Sequence, residues 1–321
     1  MQKEETPFAS PIKNHRSREK GVLVYPVYSR RSGGLSLGIN LFPDKKRCSF
    51  SCPYCEVFPF STNAEFSLVE MEEDLREAIT TALEGSIKIK DICFSGNGEP
   101  TMSPDFPNAL ECASRMRTLL VPDADLVLIT NGMGLLEDGV FSLLREAAIS
   151  HRLDIWLKFD AGTPAWFAKM NRPRISPGKN KLEEENREVN PEAVLLHEKI
   201  IARLKEFSAF APFTIQTMLC AVDGEGPPPF EEAAWENLIV ELAAIARKAG
   251  GRGLNKVQIY GKARPAPEDP KAAALPAVRL LERADSLHAA LAASIAAEKS
   301  TAGIDGFETP GDAVIPVEIY P

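Results

Sequence analysis

From residue 35 to about residue 265, short apolar runs alternate with amphipathic stretches. The apolar runs cover residues 35–42, 92–95, 126–130, 155–159, 213–219 and 257–260. Most are continuously apolar, which is the pattern of parallel strands buried on both faces. The stretches between them read as helices. One opens with the capping-box spacing Ser67-x-x-Glu70 and runs to about residue 83. Others cover residues 106–119, 135–148, 194–207 and 231–248.

Six strand–helix repeats in series imply right-handed crossovers and a curved parallel sheet. The expected fold is therefore α/β, a partial (β/α)6 barrel whose functional face lies at the C-terminal ends of the strands. Residues 1–34 are polar and Arg-rich apart from the apolar run 22–27 and read as an N-terminal extension. Residues 35–265 form the barrel, and residues 266–321 a C-terminal extension with an Ala-rich helix over 275–298 and an extended tail over 313–320. Two segments interrupt the rhythm at the functional face. Residues 171–191 are rich in Pro, Lys, Glu and Asn, and residues 223–229 end in three prolines. Both read as solvated loops able to serve as lids.

Composition narrows the class. An apolar content of 44% supports a full core. The net charge of −8 argues against a broad nucleic-acid surface. Residues 45–47 and 172–174 are the local basic clusters. The charged start Met1-Gln2-Lys3-Glu4-Glu5 has no apolar h-region and no apolar run approaches ~20 residues, so a cytoplasmic protein without a membrane anchor is expected. Six cysteines in such a chain read as metal ligands or buried thiols. Cys93, Cys112 and Cys220 lack cluster spacing and read as small buried groups. The histidines, His15, His151, His197 and His288, show no pairing with a nucleophile.

The remaining cysteines carry the chemistry. Cys48, Cys52 and Cys55 are spaced C-x3-C-x2-C directly after the first apolar run. Three soft thiolates can hold three irons of a [4Fe–4S] cube and leave the fourth open. A structural zinc would need a fourth ligand, which the neighbouring sequence does not supply.

With its aromatic residue before the last cysteine, this loop resembles that of the radical S-adenosylmethionine (SAM) superfamily. The resemblance extends over residues 35–265 through Ser95-Gly96-Asn97-Gly98-Glu99-Pro100-Thr101, Thr130-Asn131-Gly132, Lys158-Phe159-Asp160-Ala161-Gly162, Asn171-Arg172-Pro173 and the run 260–265. It implies that Cys48, Cys52 and Cys55 ligate a [4Fe–4S] cluster whose open iron chelates the amino and carboxylate groups of SAM. Tyr54 would pack near the adenine. Gly98 and Glu99 would accept from the amino group, with Asn97 standing where the family usually has glycine. Asn131, Lys158 and Asp160 would contact ribose or carboxylate. Read on their own residues, Lys158 and Asp160 equally form a structural ion pair, Asn131-Gly132 a turn, and Glu99 the end of a loop.

The resemblance further implies an external one-electron reductant of flavodoxin or ferredoxin type, reductive cleavage of SAM, and hydrogen abstraction from a small-molecule or protein substrate. Part of the pattern is similar to the wybutosine-synthesis subgroup, which makes tRNA modification an alternative. The acidic charge and the absence of any cysteine before Cys48 count against it. A glycyl-radical-enzyme activase is a further alternative. A non-catalytic iron–sulfur carrier or sensor is the alternative of another class, and it would require a fourth cluster ligand.

Overall fold

The computed structural model describes residues 22–174, 190–302 and 314–321. Most of the 171–191 segment, His15 and residues 1–21 lie outside the described residues. The chain divides into two compact units. Among the described residues, the first draws on Met1–Cys48, Pro59–Thr130 and Glu146–Ile155, and the second on Ser49–Phe58, Asn131–Arg145 and Trp156–Pro321.

In the first unit, the apolar run that opens the described chain forms β1 (Val24–Ser29), antiparallel to β2 (Gly34–Ile39). Strand β2 pairs parallel with β3 (Ile89–Phe94), and β3 parallel with β4 (Asp125–Thr130). The side chains of β2 segregate by face: Leu35, Leu37 and Ile39 are at most 1% exposed, while Ser36 and Gly38 share the opposite face. Helix α1 (Leu68–Glu84) opens where the capping signal placed it. The Ser67 hydroxyl accepts from Glu70 N at 3.3 Å, satisfying one orphan donor of the first turn. Its Met71, Leu75 and Ile79, spaced four apart, are fully buried. Each contributes about 1.5–3 kcal/mol relative to exposure. Helix α2 (Phe106–Leu120) sends Phe106 edge-on into Phe94 of β3, with ring centroids 5.4 Å apart.

Helix α3 (Asp138–Ser150) and strand β5 (Leu153–Lys158) contribute residues to both units. The helix expected from residue 135 starts three residues later. Gly132 takes φ +80°, and residues 133–136 tighten into a 3₁₀ turn.

The second unit repeats the parallel pattern. Trp156, Leu157 and Lys158 of β5 pair with β6 (Phe213–Val222), β6 with β7 (Leu254–Gly261), and β7 with β9 (Val317–Tyr320). The short β8 (Ala272–Ala274) runs antiparallel to the end of β6. Helices α4 (Pro164–Met170), α5 (Pro191–Ser208), α6 (Pro229–Lys248) and α7 (Ala277–Ala302) complete this unit. Helix α5 begins three residues before the expected start because Asn190 accepts from Glu192 N at 2.9 Å and Pro191 supplies a preset first-turn φ. Phe207 of α5, Phe213 of β6 and Phe141 of α3 form its aromatic core.

Within each unit, successive strands are neighbours: β2, β3, β4 in the first and β5, β6, β7 in the second. Consecutive parallel strands that pair in sequence order are what a βα barrel requires. All six expected strands are present, and the α/β class stands. Among the described residues, no helix is long and apolar enough to cross a membrane.

Candidate functional site

The first unit carries Cys48, Asn97, Gly98 and Glu99. Strand β3 ends at Phe94, and the chain turns at Gly96, whose φ of +114° and closeness to Asn40 favour glycine. Asn40 is 1% exposed and organises the turn: its Oδ1 accepts from the amides of Asn97 at 3.1 Å and Phe42 at 3.3 Å. Arg47, next to Cys48, then pairs with Gly98 as an isolated parallel bridge. Arg47 N donates to Asn97 O at 3.1 Å and Glu99 N donates to Arg47 O at 2.8 Å. The contact is close enough that a Cβ on Gly98 would lie 1.8 Å from the Arg47 carbonyl oxygen.

The Glu99 carboxylate is buried, and its Oε1 accepts from Thr130 Oγ1 at 2.6 Å and Thr101 Oγ1 at 2.7 Å. In the sequence Thr130 stands out only as the last residue of an apolar run and the first of the motif Thr130-Asn131-Gly132. Asn97 donates its side-chain NH2 to Phe42 O at 3.1 Å, while its Oδ1 is a buried acceptor that no donor satisfies among the described residues. Within the basic run 45–47, Arg47 pairs with Asp44 at 2.6 Å.

The second unit carries Cys52, Tyr54, Cys55, Asn131, Lys158 and Asp160. The loop from Ser49 onward is strapped to residues 171–174. Ser51 N donates to the carbonyls of Asn171 and Arg172 at 3.1 and 3.0 Å, and Arg174 N donates to Ser49 O at 2.8 Å. Phe50 packs edge-on against Phe167 of α4, with centroids 5.5 Å apart. Cys55 N closes a turn onto Cys52 O at 3.1 Å, and Arg264 reaches Glu56 at 3.0 Å. Asn131 forms the expected turn by accepting from Met133 N at 3.0 Å, and its NH2 also donates to Ser49 Oγ at 3.0 Å. Cys48, Cys52 and Cys55 are all half-buried.

Below this loop lies a buried polar cluster. The Lys158 ammonium is 3.2 Å from Asp160 Oδ1 and lies over the rings of Tyr54 and Tyr260, 4.8 and 4.5 Å from their centroids. It also donates to the Tyr260 hydroxyl. Burial opposes its charge, but Asp160 and the Tyr260 oxygen more than offset that, so its pKa rises above the ordinary lysine value. The Tyr54 hydroxyl donates to Asp160 Oδ2, and burial followed by the Asp160 charge holds its pKa well above the usual tyrosine range. Asn171 Nδ2 donates to the same oxygen at 3.1 Å, and Met218 N to Oδ1 at 2.7 Å. Lys158 and Asp160 are thus a buried ion pair with four hydrogen-bonded neighbours. In the sequence Tyr260 and Asn171 stand out only as members of motifs.

The turn that presents Asp160 is held from behind. Glu231 of α6 accepts from Gly162 N at 2.5 Å, Thr163 N at 2.8 Å and Thr163 Oγ1 at 2.5 Å. Trp235 Nε1 donates to Phe159 O at 3.2 Å, and His197 Nε2 donates to Ala161 O at 3.0 Å. No local spacing marked Glu231 or His197, because each reaches its partner from a distant helix. Arg172 of the second basic cluster pairs with Glu268 at 2.5 Å.

Cys93, Cys112 and Cys220 are buried, as expected for packing residues. Burial pushes the Cys220 thiol up to about 12 and the Cys112 thiol up to about 11, and raises that of Cys93 further. All three are poor thiolate donors.

No protein-family profile matches the chain. Over 132 residues it is 34% identical to a UPF0026 protein of Helicobacter pylori (strain ATCC 700392 / 26695), covering 40% of this chain and 41% of that protein. Over 122 residues it is 34% identical to a UPF0026 protein of strain J99, covering 38% of each. The match therefore spans about two fifths of these relatives' length. Among solved structures, the chain is similar to TYW1 with a lysine–pyruvate adduct bound, at 12% identity and a TM-score of 0.49, over 83% of this chain and 84% of that one. It is also similar to a radical SAM methyltransferase from Sphaerobacter thermophilus, at 12% identity and a TM-score of 0.49, over 92% of this chain and 68% of that one.

Proposed function

We propose that this chain is a radical SAM enzyme, in which Cys48, Cys52 and Cys55 hold a [4Fe–4S] cluster and SAM binds at its open iron. The observation that carries the reading is the cysteine loop itself: three half-buried thiols at C-x3-C-x2-C spacing. The donor set fits the group, because soft sulfur ligands suit iron–sulfur clusters and three of them leave one iron coordinatively open. The buried Oδ1 of Asn97 adds an acceptor that lacks a donor among the described residues, as an ammonium ligand would require. When bound, such a cluster with SAM supplies a carbon-centred radical that abstracts hydrogen from substrate.

This chain's residues have distinct parts in that scheme. Gly98 and Glu99, with Asn97, form the acceptor loop for the SAM amino group, and Tyr54 forms one wall of the adenine site. Asn131 holds the start of the cysteine loop and borders the ribose. Lys158 supplies a cation kept charged by Asp160. An external flavodoxin or ferredoxin delivers the electron, and the substrate is a small molecule or a protein.

Anaerobically reconstituted protein, given dithionite and SAM, is expected to release 5′-deoxyadenosine, and Cys52→Ala to lose both the cluster absorbance and the cleavage. A wild-type cluster whose spectrum ignores SAM, with no 5′-deoxyadenosine formed, would overturn the reading and leave an electron carrier.

A further inference from the structure

The side chain of Asp160 is completely buried and its carboxylate accepts four hydrogen bonds. A carboxylate has about four acceptor positions, so the set is complete and no position is left for a ligand. The donors come from four places: the Tyr54 hydroxyl from the cysteine loop, Asn171 Nδ2 from the end of α4, Met218 N from within β6, and Lys158 Nζ from the end of β5. Met218 and Lys158 are anchors, standing on strands β6 and β5. Met218 lies in a strand buried along its whole length, and the turn bearing Asp160 is clamped by Glu231, Trp235 and His197. The other two lead to the loop. Tyr54 stands between Cys52 and Cys55, while the Asn171 carbonyl accepts from Ser51 N at 3.1 Å and from the Cys52 thiol at 3.5 Å.

We propose that Asp160 is a positioning residue for the cysteine loop: through Tyr54 and Asn171 it sets the placement of Cys52 and Cys55 before any metal arrives. Groups beyond the ligands commonly orient a metal site in this way. This inference rests on the radical SAM reading only for the identity of what the loop holds. It replaces a ribose or carboxylate contact as the part Asp160 plays.

The test is Asp160→Asn, which preserves size. All four partners are donors, so whichever way the amide turns, its NH2 opposes a donor and the buried Lys158 loses its counter-charge. The readout is alkylation of metal-free protein by iodoacetamide, resolved residue by residue by mass spectrometry. Cys52 and Cys55 are expected to react at least about tenfold faster than in wild type, equivalent to ~1.4 kcal/mol in the opening equilibrium. Cys93 and Cys220 should stay protected, which reports an intact fold. Tyr54→Phe, which removes one hydroxyl and keeps the ring, should shift the same two cysteines in the same direction by a smaller factor.

Unchanged rates at Cys52 and Cys55 in both variants would overturn the proposal. If Asp160→Asn also exposes Cys93 and Cys220, Tyr54→Phe decides, and no acceleration there overturns it. Wild-type protein that takes up no iron would sink the proposed function while leaving the alkylation result to judge this inference.

Discussion

Gly98→Ala isolates what close packing contributes beside the first cysteine. The added Cβ would sit 1.8 Å from the Arg47 carbonyl oxygen and 2.8 Å from a Phe42 ring carbon. A backbone oxygen cannot rotate aside, so the segment ending at Cys48 must separate from residues 97–99. Separation breaks two backbone hydrogen bonds, Arg47 N to Asn97 O and Glu99 N to Arg47 O. Each is worth about 1 kcal/mol net, and residual crowding adds about 1–3 kcal/mol. The loss comes to about 3–5 kcal/mol by these two terms. At ~2–4 °C per kcal/mol for a chain of this order of size, the midpoint should fall by about 6–20 °C. The assay is calorimetry of metal-free protein, followed by iron determination after reconstitution, which should show less iron per chain. Gly139→Ala is the control: it lies in α3 with nothing within 4 Å of an added Cβ. It should be neutral or stabilising by up to about 1 kcal/mol. A Gly98→Ala protein with wild-type midpoint and full iron content would show that the Arg47 bridge does not constrain the loop.

Lys158→Met leaves the Asp160 carboxylate buried without its cation, at a cost of about 3–5 kcal/mol. Adding Asp160→Asn to it should recover part of that loss, and urea unfolding in which the two losses simply add would refute the pairing. His197 yields a pH dependence. Burial lowers its pKa, so the folded protein keeps the ring neutral while the unfolded chain takes up a proton below its ordinary value of 6.5. Stability is therefore complete above about pH 6.5 and declines as pH falls toward the lower folded pKa, by at most ~1.4 kcal/mol per pH unit. In His197→Gln, which can still donate to the Ala161 carbonyl, urea unfolding between pH 7 and 5 should show a shallower decline, and parallel curves would refute the assignment.

The strands and most helices were legible because their signals are local. Continuous apolar runs mark strands with both faces covered, and Ser67 with Glu70 marks a helix start within four residues. The expected helix starts at residues 135 and 194 missed for equally local reasons, the left-handed Gly132 and the capping Asn190. The loop motifs placed the candidate residues at strand ends, but their chemistry depends on partners far along the chain. Tyr54 meets Asp160 across 106 positions, and Lys158 meets Tyr260 across 102. Spacing cannot show such pairs.

One general constraint narrows them. A carboxylate buried in the interior persists only if donors converge on it. Once the fold buries Asp160, donors must therefore reach it from elsewhere in the chain, although the sequence does not name them. That the donors prove to be Tyr54 and Asn171 links the two requirements. The same hydrogen bonds that make the buried charge tolerable also restrain the loop bearing Cys52 and Cys55, so relaxing the loop carries the cost of leaving Asp160 unsatisfied. This coupling gives a physical reason for an ionic group beneath a thiol loop, where an apolar pair of similar volume would fill the space but hold nothing above it.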